Sequence, residues 1–384
     1  MNGTPTVSFI IPCYRLAKFL GECVESVLAQ SYDNLEILIL DDQSPDETPK
    51  VSEILISANP RAKISYIRNK KNLGNISNYN KGINIASGSY VWILSPDDRL
   101  RNPYIVERYV RVMEANRHVG YTFCPAHMVQ DGCDLGLFQE SVYGSGDRIL
   151  DSKQFIKDMV DHTVGPAAPS VMVRKECYER VTLFPEDMPH RGDTYVWSMI
   201  AMKYDVAYFS DAMVDYRVHD DSMMSILARE NTAQLLEDDI AVRWCIKALA
   251  EQNALEDIVE HCNKSIMSRY KQAIKGYGYR GCLLLLTFEA FEASLLKWEP
   301  NPADRSRLRA TLGKHLYWSG VAELLQAHIK NATRVFRFAF RLDPKLRYRP
   351  PLLHLMRTPD LDKRVASIIG EATGKLLRHS ERRK

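Results

Sequence analysis

Residues 6–100 alternate apolar runs with amphipathic stretches, and this alternation most constrains the fold. The apolar runs lie at residues 7–12, 35–40, 64–67 and 90–94. The helical patterns between them cover residues 17–30, 48–58 and 76–86. Unbroken apolar runs of this length are typical of strands buried on both faces. The resulting β-α-β-α-β-α-β order predicts a mainly parallel sheet with helices on both of its faces.

The chain has 384 residues, which favours two domains. From about residue 231 long helical patterns dominate and strand signals vanish. Charge is also uneven: residues 301–384 hold 19 Lys/Arg against 7 Asp/Glu, a net +12 within a chain total of +3. We therefore predict an α/β domain over residues 1–228 and an all-helical, basic extension over residues 229–384. Within that extension, residues 316–344 fit either a single tetratricopeptide-type unit or part of a helical bundle.

Several classes of protein are disfavoured by what the sequence lacks. The N-terminal stretch MNGTPTVSFIIPCY has no basic region, which predicts no signal peptide. No run reaches the ~20 apolar residues of a membrane span. The eight cysteines form no Cys-x-x-Cys pair, so we interpret them as reduced cytosolic thiols. The glycine fingerprints of dinucleotide and P-loop sites are missing. We expect a cytoplasmic protein, with the inner face of a membrane as a second location.

Polar residues follow three of the four predicted strands. The segments are Pro12-Cys13-Tyr14, Asp41-Asp42-Gln43-Ser44 and Ser95-Pro96-Asp97-Asp98. Ligands of open parallel sheets bind beyond the carboxyl ends of the strands, where these segments would converge. Adjacent carboxylates such as Asp97 and Asp98 need a counter-charge, which a divalent cation supplies. The alternative is a solvated turn, or a cap for a helix predicted at residues 104–116.

Three further positions have two interpretations each. Asp42 could accept hydrogen bonds from a base or ribose, or belong to a turn with Asp41. Asp193 could be a general base, or the N-cap of a helix predicted over residues 194–203. His219 could be a metal ligand or an ordinary loop residue.

Four segments of the chain together resemble the family 2 glycosyltransferases, which have the GT-A fold. They are VSFIIPCY (7–14), SVLAQSYDNLEILILDDQSPDET (26–48), NLGNISNYNKGINIASGSYVWILSPDD (72–98) and GDTYVWSMIAMKYDVAYFSDAMVDYRVH (192–219). They occur in the order and at the spacing of that family, and the resemblance covers about residues 6–225.

The resemblance implies roles for residues beside the nucleotide. Pro12 and Tyr14 would line the base, with Tyr14 stacking on it. Asp42 would read the base, while Asn72 and Gly74 would shape the loop next to it.

The resemblance also implies a catalytic and a metal-binding group. Asp98 would bind a divalent ion, Mn²⁺ or Mg²⁺, that holds the donor diphosphate, and His219 would complete the metal shell. Asp97 would lie near the donor ribose. Asp193 would be the general base that deprotonates the acceptor hydroxyl.

The activity implied is inverting transfer of a sugar from a UDP-linked donor to a hydroxyl of a glycan or lipid-linked glycan, in bacterial surface polysaccharide assembly. The alternative is a catalytically silent nucleotide-sugar-binding or scaffold protein. The chain departs from the family at Ser95 and Gly192, where many members have acidic residues, and at Arg15, where Asn is common. Processive synthases fit poorly, because Ile240 stands where their Gln-x-x-Arg-Trp motif has Gln.

The basic extension has no motif that identifies its partner. Aromatic and basic residues alternate in one of its helices: Arg334, Phe336, Arg337, Phe338, Phe340 and Arg341. This pattern fits a helix on an anionic membrane surface, and equally a solvated basic face or an oligomer contact. We expect no nucleic-acid partner, because no recognised nucleic-acid-binding module is present.

Overall fold

A computed structural model describes residues 4–138, 143–161, 165–279 and 282–348. The chain forms two compact units. Unit 1 comprises Met1–Leu227 and Glu237–Cys262, and unit 2 comprises Ala228–Leu236 and Asn263–Lys384. Along the sequence the chain passes from unit 1 to unit 2 at residue 228, returns to unit 1 at residue 237 and enters unit 2 again at residue 263. The predicted single boundary between residues 228 and 229 therefore stays a prediction.

Unit 1 carries two sheets. Its strands are β1 (Val7–Cys13), β2 (Leu35–Asp41), β3 (Lys63–Arg68), β4 (Tyr90–Ile93), β5 (Arg99–Leu100), β6 (Val119–Phe123), β7 (Ala126–Gln130), β8 (Cys133–Leu137), β9 (Arg148–Leu150), β10 (Met172–Arg174), β11 (Asp205–Tyr208) and β12 (Val214–Arg217). Within the described residues the larger sheet has eight strands in the order β3-β2-β1-β4-β10-β6-β11-β9, and the smaller sheet has the order β5-β12-β7-β8. In the larger sheet, β3, β2, β1 and β4 run parallel, as predicted, while β10 and β9 are antiparallel to their neighbours.

Among the described residues, seven helices connect these strands, several of them packed on the larger sheet, and three more follow β12. They are α1 (Ala17–Leu28), α2 (Thr48–Ala58), α3 (Asn75–Ile85), α4 (Ile105–Ala115), α5 (Ser152–Asp161), α6 (Lys175–Arg180), α7 (Gly192–Ala201), α8 (Met223–Glu230), α9 (Thr232–Gln252) and α10 (Glu256–Gly276). The last three cross the divisions between the units. The predicted α/β fold with a mainly parallel, helix-flanked sheet is confirmed.

The central strand β1 is buried on both faces, which explains its unbroken apolar run. On one face Phe9 stacks on Trp92 of β4, with ring centroids 5.2 Å apart, inside a cluster that includes residues of α1 and α4. On the other face Ile10 lies against Gly82 of α3. Both faces are therefore closed by helices, and the one buried hydroxyl of the strand, that of Ser8, is hydrogen-bonded to Glu36 of β2.

Six strands of unit 1 were not predicted from the sequence: β5, β6, β7, β8, β9 and β10. They have two to five residues, and β8 is exposed along its whole length. Strands of two to five residues are too short to show an apolar periodicity. They form because the sheets offer partners for their backbone groups, which only the folded chain provides.

In its described residues, unit 2 is helical apart from a short antiparallel pair, β13 (Tyr277–Tyr279) and β14 (Cys282–Leu284). Its remaining helices are α11 (Phe288–Trp298), α12 (Pro302–Leu325) and α13 (Ile329–Leu342). Phe336 and Phe338 of α13 are buried: Phe336 packs on Tyr317 and Phe338 on Phe291. These two rings therefore do not face a membrane, and only the basic residues of α13 support that expectation. None of the described helices is long and apolar enough to cross a bilayer.

Gly82 tests the contact between α3 and the sheet. A Cβ atom at this position would lie 2.5 Å from Ile10 Cγ2 and 2.7 Å from Leu40 Cδ1. We expect Gly82→Ala to lower the free energy of unfolding by about 1–3 kcal/mol, because the core must shift to admit the methyl group. Urea denaturation followed by tryptophan fluorescence measures the change.

Gly21 of α1 is the matched control. It is also inside a helix, but a Cβ atom there would meet nothing within 4 Å. Gly21→Ala should raise stability by about 0.5–1 kcal/mol through helix propensity alone. Equal effects of the two substitutions would contradict the packing argument.

Candidate active site

The ends of β1 and β2 meet at one edge of the larger sheet. The backbone N–H of Asp42 donates to the carbonyl of Cys13 over 2.9 Å, which continues the pairing beyond the strands. Pro12 is half-buried here, and the Tyr14 ring is 40% exposed. The Arg15 guanidinium lies 5.2 Å from the centroid of the Tyr14 ring. An exposed aromatic ring beside a cation is a surface on which a planar base can stack.

Asp42 holds the loop that leads into α3. Its Oδ1 accepts hydrogen bonds from the Leu73 N–H (2.8 Å) and the Asn69 amide (2.7 Å), and its Oδ2 accepts from the Gly74 N–H (2.9 Å). The Asn72 Oδ1 also accepts from the Gly74 N–H, over 3.0 Å. Gly74 has φ +81°, which favours glycine. The structure thus joins three predicted site residues, Asp42, Asn72 and Gly74, in one loop.

The turn that follows β2 is organised by Asp41 rather than Asp42. The Asp41 Oδ1 accepts from the Ser44 N–H over 2.6 Å, and its Oδ2 accepts from the Tyr66 hydroxyl over 2.6 Å. Asp41 is fully buried. The turn interpretation therefore describes the first aspartate of the pair, while the second shapes the adjacent loop.

Asp97 and Asp98 lie in the turn after β4 and are not solvated. Asp98 is 5% exposed and the Asp97 side chain 12%. The Asp98 Oδ1 accepts from the Arg217 N–H over 2.9 Å, and the Asp97 Oδ2 lies 2.9 Å from Nε2 of His219. Helix α4 begins only at Ile105 and has no side-chain cap. Both alternatives for these aspartates, a solvated turn and a helix cap, are wrong.

The electrostatics of this pair suit a divalent cation. Burial raises the pKa of Asp98 well above its usual range, and the neighbouring Asp97 carboxylate raises it further. Asp97 Oδ1 and His219 Nδ1 are buried without a hydrogen-bond partner among the described residues. Carboxylate oxygens with an imidazole suit Mn²⁺ or Mg²⁺. The described residues contain no group of three protein ligands, so further oxygens would have to come from a phosphate or water.

Asp193 lies in the first turn of α7 and is not its N-cap. The helix begins at Gly192, its N-cap position is Arg191, and no side chain caps it. The Asp193 Oδ1 accepts from the N–H of the adjacent Thr194 over 2.6 Å. Burial raises the pKa of the Asp193 carboxyl, and the Arg191 guanidinium opposes that rise. The capping interpretation is therefore wrong, and the carboxylate stays available for other contacts.

Tyr79 of α3 lies near both Asp193 and the pair Asp97 and Asp98, and no role for it was predicted from the sequence. Burial raises the pKa of its hydroxyl, and the carboxylates of Asp193, Asp97 and Asp98 raise it further. All three carboxylates therefore lie within electrostatic reach of one hydroxyl. The only sequence signal was helical spacing, which puts Tyr79 on the same face as Asn75, four residues before it.

Arg217 was also missed, although it ends β12 two residues before His219. Its Nε donates to the Asp97 carbonyl over 2.8 Å, and its guanidinium pairs with Glu22 of α1 at 2.7 Å. Together with the N–H bond to Asp98, these contacts fix the Asp97–Asp98 turn against β12 and α1. A basic residue at a strand end beside a candidate metal ligand was the available signal.

Residues 8–135 match the family model of glycosyl transferase family 2. The chain carries a family 2 glycosyltransferase domain of the GT-A fold. The predicted family, fold and enzyme class are confirmed. The individual roles predicted for the site residues stay predictions.

Relatives and solved structures agree with this assignment. An uncharacterized glycosyltransferase of Haemophilus influenzae is 29% identical over 234 residues, covering 60% of this chain and 71% of the relative. One of Rickettsia conorii is 27% identical over 336 residues, covering 82% of this chain but about half, 52%, of the relative. The crystal structure of Staphylococcus aureus TarS aligns with a TM-score of 0.57 at 15% identity, covering 89% of this chain and 54% of TarS.

The uncompensated charge at Asp98 predicts a substitution that increases stability. Without metal, Asp98→Asn should raise the free energy of unfolding by about 1 kcal/mol, because the neutral amide removes the repulsion from Asp97 and still accepts the Arg217 N–H. Thermal unfolding in EDTA measures the shift.

Asp215 of β12 is the matched control, since it is also buried but pairs with Arg99 at 2.6 Å and Arg101 at 3.1 Å. Asp215→Asn should lower stability by about 1–3 kcal/mol, because it removes the partner of both cations. A loss of stability in Asp98→Asn as well would show that Asp98 is already compensated.

Proposed function

We propose that this chain is an inverting, metal-dependent glycosyltransferase that moves a sugar from a UDP-linked donor to a hydroxyl of a glycan or lipid-linked glycan. The observation that carries the proposal is the buried contact of Asp97 Oδ2 with His219 Nε2 at 2.9 Å beside Asp98, together with Asp193, whose carboxylate raises the pKa of Tyr79 as those of Asp97 and Asp98 do. It supports a donor-side metal pair and a candidate base in one site. The family resemblance extends the proposal to bacterial surface polysaccharide assembly.

The donor would bind along the edge formed by β1, β2 and β4. Tyr14 offers an exposed ring for the base, and the loop held by Asp42 lies next to the end of β2. The UDP part of the proposal has a parallel in TarS residues 1–349, a neighbour with TM-score 0.51 and 13% identity whose structure was solved in complex with UDP. The Asp42 carboxylate retains acceptor capacity for a base N–H, since an ionised carboxylate has about four lone-pair sites.

Asp98 and His219 would hold the cation, and Asp97 beside them would lie near the donor ribose. When bound, the cation neutralises charge on the leaving diphosphate. Around it, Arg217 fixes the turn through the Asp98 carboxylate and the Asp97 carbonyl. Burial of both carboxylates keeps water from weakening these charges.

Asp193 would remove the proton from the acceptor hydroxyl as that oxygen attacks the anomeric carbon. Burial, by raising the pKa of the carboxyl, brings it nearer to that of a useful general base. The Arg191 guanidinium opposes this rise in pKa and so favours the charged carboxylate that must accept the proton. A silent nucleotide-sugar-binding or scaffold protein would not need the Asp193 carboxylate in addition to the buried pair Asp97 and Asp98.

The base assignment predicts a sharp loss of turnover. Asp193→Asn should lower the rate of sugar transfer by about 10²–10⁴-fold, because the amide cannot accept the proton. A thermal-shift panel of nucleotide sugars with Mn²⁺ selects the donor, and release of its nucleoside diphosphate in the presence of candidate glycan acceptors measures transfer. Undiminished turnover in this variant would rule out Asp193 as the base.

Calorimetry of donor binding distinguishes the role of Asp193 as the base from the role of Asp98 in metal binding. Asp193→Asn should bind the donor with Mn²⁺ as the unmodified protein does. Asp98→Ala should lose the metal-dependent part of the affinity, as should the unmodified protein in EDTA. Tight donor binding that neither change affects would contradict the metal site.

We also propose that the basic face of α13 contacts an anionic membrane surface. Lys330, Arg334, Arg337 and Arg341 recur at helical spacing along this helix. Lys330, Arg337 and Arg341 are exposed, although Arg341 also pairs with Glu289 at 2.9 Å. Each basic residue near an anionic bilayer contributes about 1 kcal/mol to binding.

Vesicle flotation tests the membrane proposal. The full chain should float with vesicles containing phosphatidylglycerol, and less with neutral phosphatidylcholine vesicles or in high salt. Lys330→Glu combined with Arg337→Glu should reduce flotation. Equal recovery with both lipids, or no effect of the double substitution, would remove the proposal.

A further inference from the structure

The segment before Asp193 has no regular structure of its own. Residues 181–191, between α6 and α7, contain neither helix nor strand. Even so, Phe184, Met188 and His190 in this segment are buried. The position of Asp193 therefore depends on what the segment is attached to, since a free connection of this length would leave the start of α7 poorly fixed.

One attachment is to α3. The Asn80 side chain makes two hydrogen bonds with the backbone of Phe184: its amide donates to the carbonyl (2.8 Å) and its oxygen accepts from the N–H (3.0 Å). At the end of the segment, a Cβ atom on Gly192 would lie 3.2 Å from Ile76 Cδ1. Helix α3 also carries Tyr79, so it links the segment to the metal pair.

The other attachment is to α9, through charged residues of unit 1. The His190 N–H donates to Asp238 Oδ2 over 2.8 Å. The Arg191 guanidinium pairs with Asp239 Oδ1 at 3.2 Å, and Arg243 pairs with the same oxygen at 3.2 Å. Asp238, Asp239 and Arg243 are each at most 2% exposed. Two successive residues of the segment, His190 and Arg191, are thus held by two successive aspartates of α9.

We propose that Asp238 and Asp239 of α9 are positioning residues, which hold His190 and Arg191 and so place Asp193 for proton transfer. This inference rests on the proposed role of Asp193 as the base. Like Asp193 itself, helix α9 lies beyond residues 8–135, the region that matches the family model.

The buried charge of Asp239 fixes the position of the Arg191 side chain. Asp239 is enclosed with two guanidinium groups, and moving Arg191 away would leave the carboxylate with less compensation in a poorly solvated place. The ion pair with Asp239 of α9 therefore holds the Arg191 side chain in one position, although an arginine side chain is otherwise flexible. Its charge also reaches Asp193, where it opposes the rise in pKa that burial causes.

Substitutions at Arg191 in the full chain test the inference, because its side chain is 24% exposed and tolerates change better than the buried aspartates. Arg191→Met should lower kcat by at least tenfold, since small displacements of a reacting group cost up to about 10²-fold. KM for the donor, and the affinity for UDP with Mn²⁺, should change less than threefold. Arg191→Lys keeps the charge and should restore most of kcat.

Arg180→Met is the matched control, because Arg180 is an exposed arginine of α6 that pairs only within its own helix with Glu176, at 3.4 Å, in the contacts described. It should leave kcat unchanged. Unchanged kcat in Arg191→Met would overturn the inference. So would a loss of kcat accompanied by an equal loss of UDP affinity and a lower melting temperature, because that pattern indicates a purely structural role.

A double-mutant cycle tests the link to α9. Asp239→Asn and Arg191→Met act through one contact if the double variant loses no more activity than the more damaging single variant. Losses that multiply would show that Asp239 does not act through Arg191. If Asp239→Asn does not fold, the Arg191 series decides alone.

Failure of this inference is distinguishable from failure of the proposed function. Asp193→Asn with full turnover removes the base and the positioning role together. Asp193→Asn without turnover, combined with a fully active Arg191→Met, removes only the positioning role.

Discussion

Burial of β1 on both faces is the constraint on which the rest of unit 1 depends. Phe9 packs against Trp92 on one face, and Ile10 packs against Gly82 of α3 on the other. A strand enclosed in this way accepts a polar side chain only where a partner compensates it, as Glu36 of β2 does for Ser8. The other polar residues follow the strand ends, and the parallel arrangement of β1, β2 and β4 brings those ends to one edge. The candidate site follows from this geometry.

At that edge the chain leaves some charge compensated and some not. Asp42 accepts three protein donors, and Asp215 is neutralised by two arginines. Asp97 and Asp98, by contrast, are buried side by side, with one oxygen lacking a hydrogen-bond partner among the described residues. A fold does not gain stability from such a pair. The contrast distinguishes Asp42 and Asp215, which stabilise the fold, from Asp97 and Asp98, which are candidates for ligand binding.

The sequence predicted much of the site because its residues follow strands. Asp42, Asp97 and Asp98 were placed correctly at the edge by strand ends alone. Tyr79 and Arg217 were not found, because each acts through neighbours that are distant in sequence. The alternatives for Asp97, Asp98 and Asp193 were wrong for a related reason: capping depends on where a helix starts, and α7 begins at Gly192, two residues earlier than its pattern indicated. Short strands such as β8 were not predicted, because an exposed five-residue strand shows no apolar periodicity.

By itself the sequence determined the order of strands and helices, the parallel sheet, the family and the residues at the strand ends. These depend on local apolar periodicity and on residue types at fixed spacing, both of which are properties of neighbouring positions. Only the tertiary structure decided which aspartates are compensated, that three carboxylates raise the pKa of Tyr79, and that α9 holds the segment before Asp193. It also enclosed Phe336 and Phe338 of α13 within unit 2. Such pairings depend on residues tens to more than a hundred positions apart, and only close packing and the exclusion of water determine which of them meet.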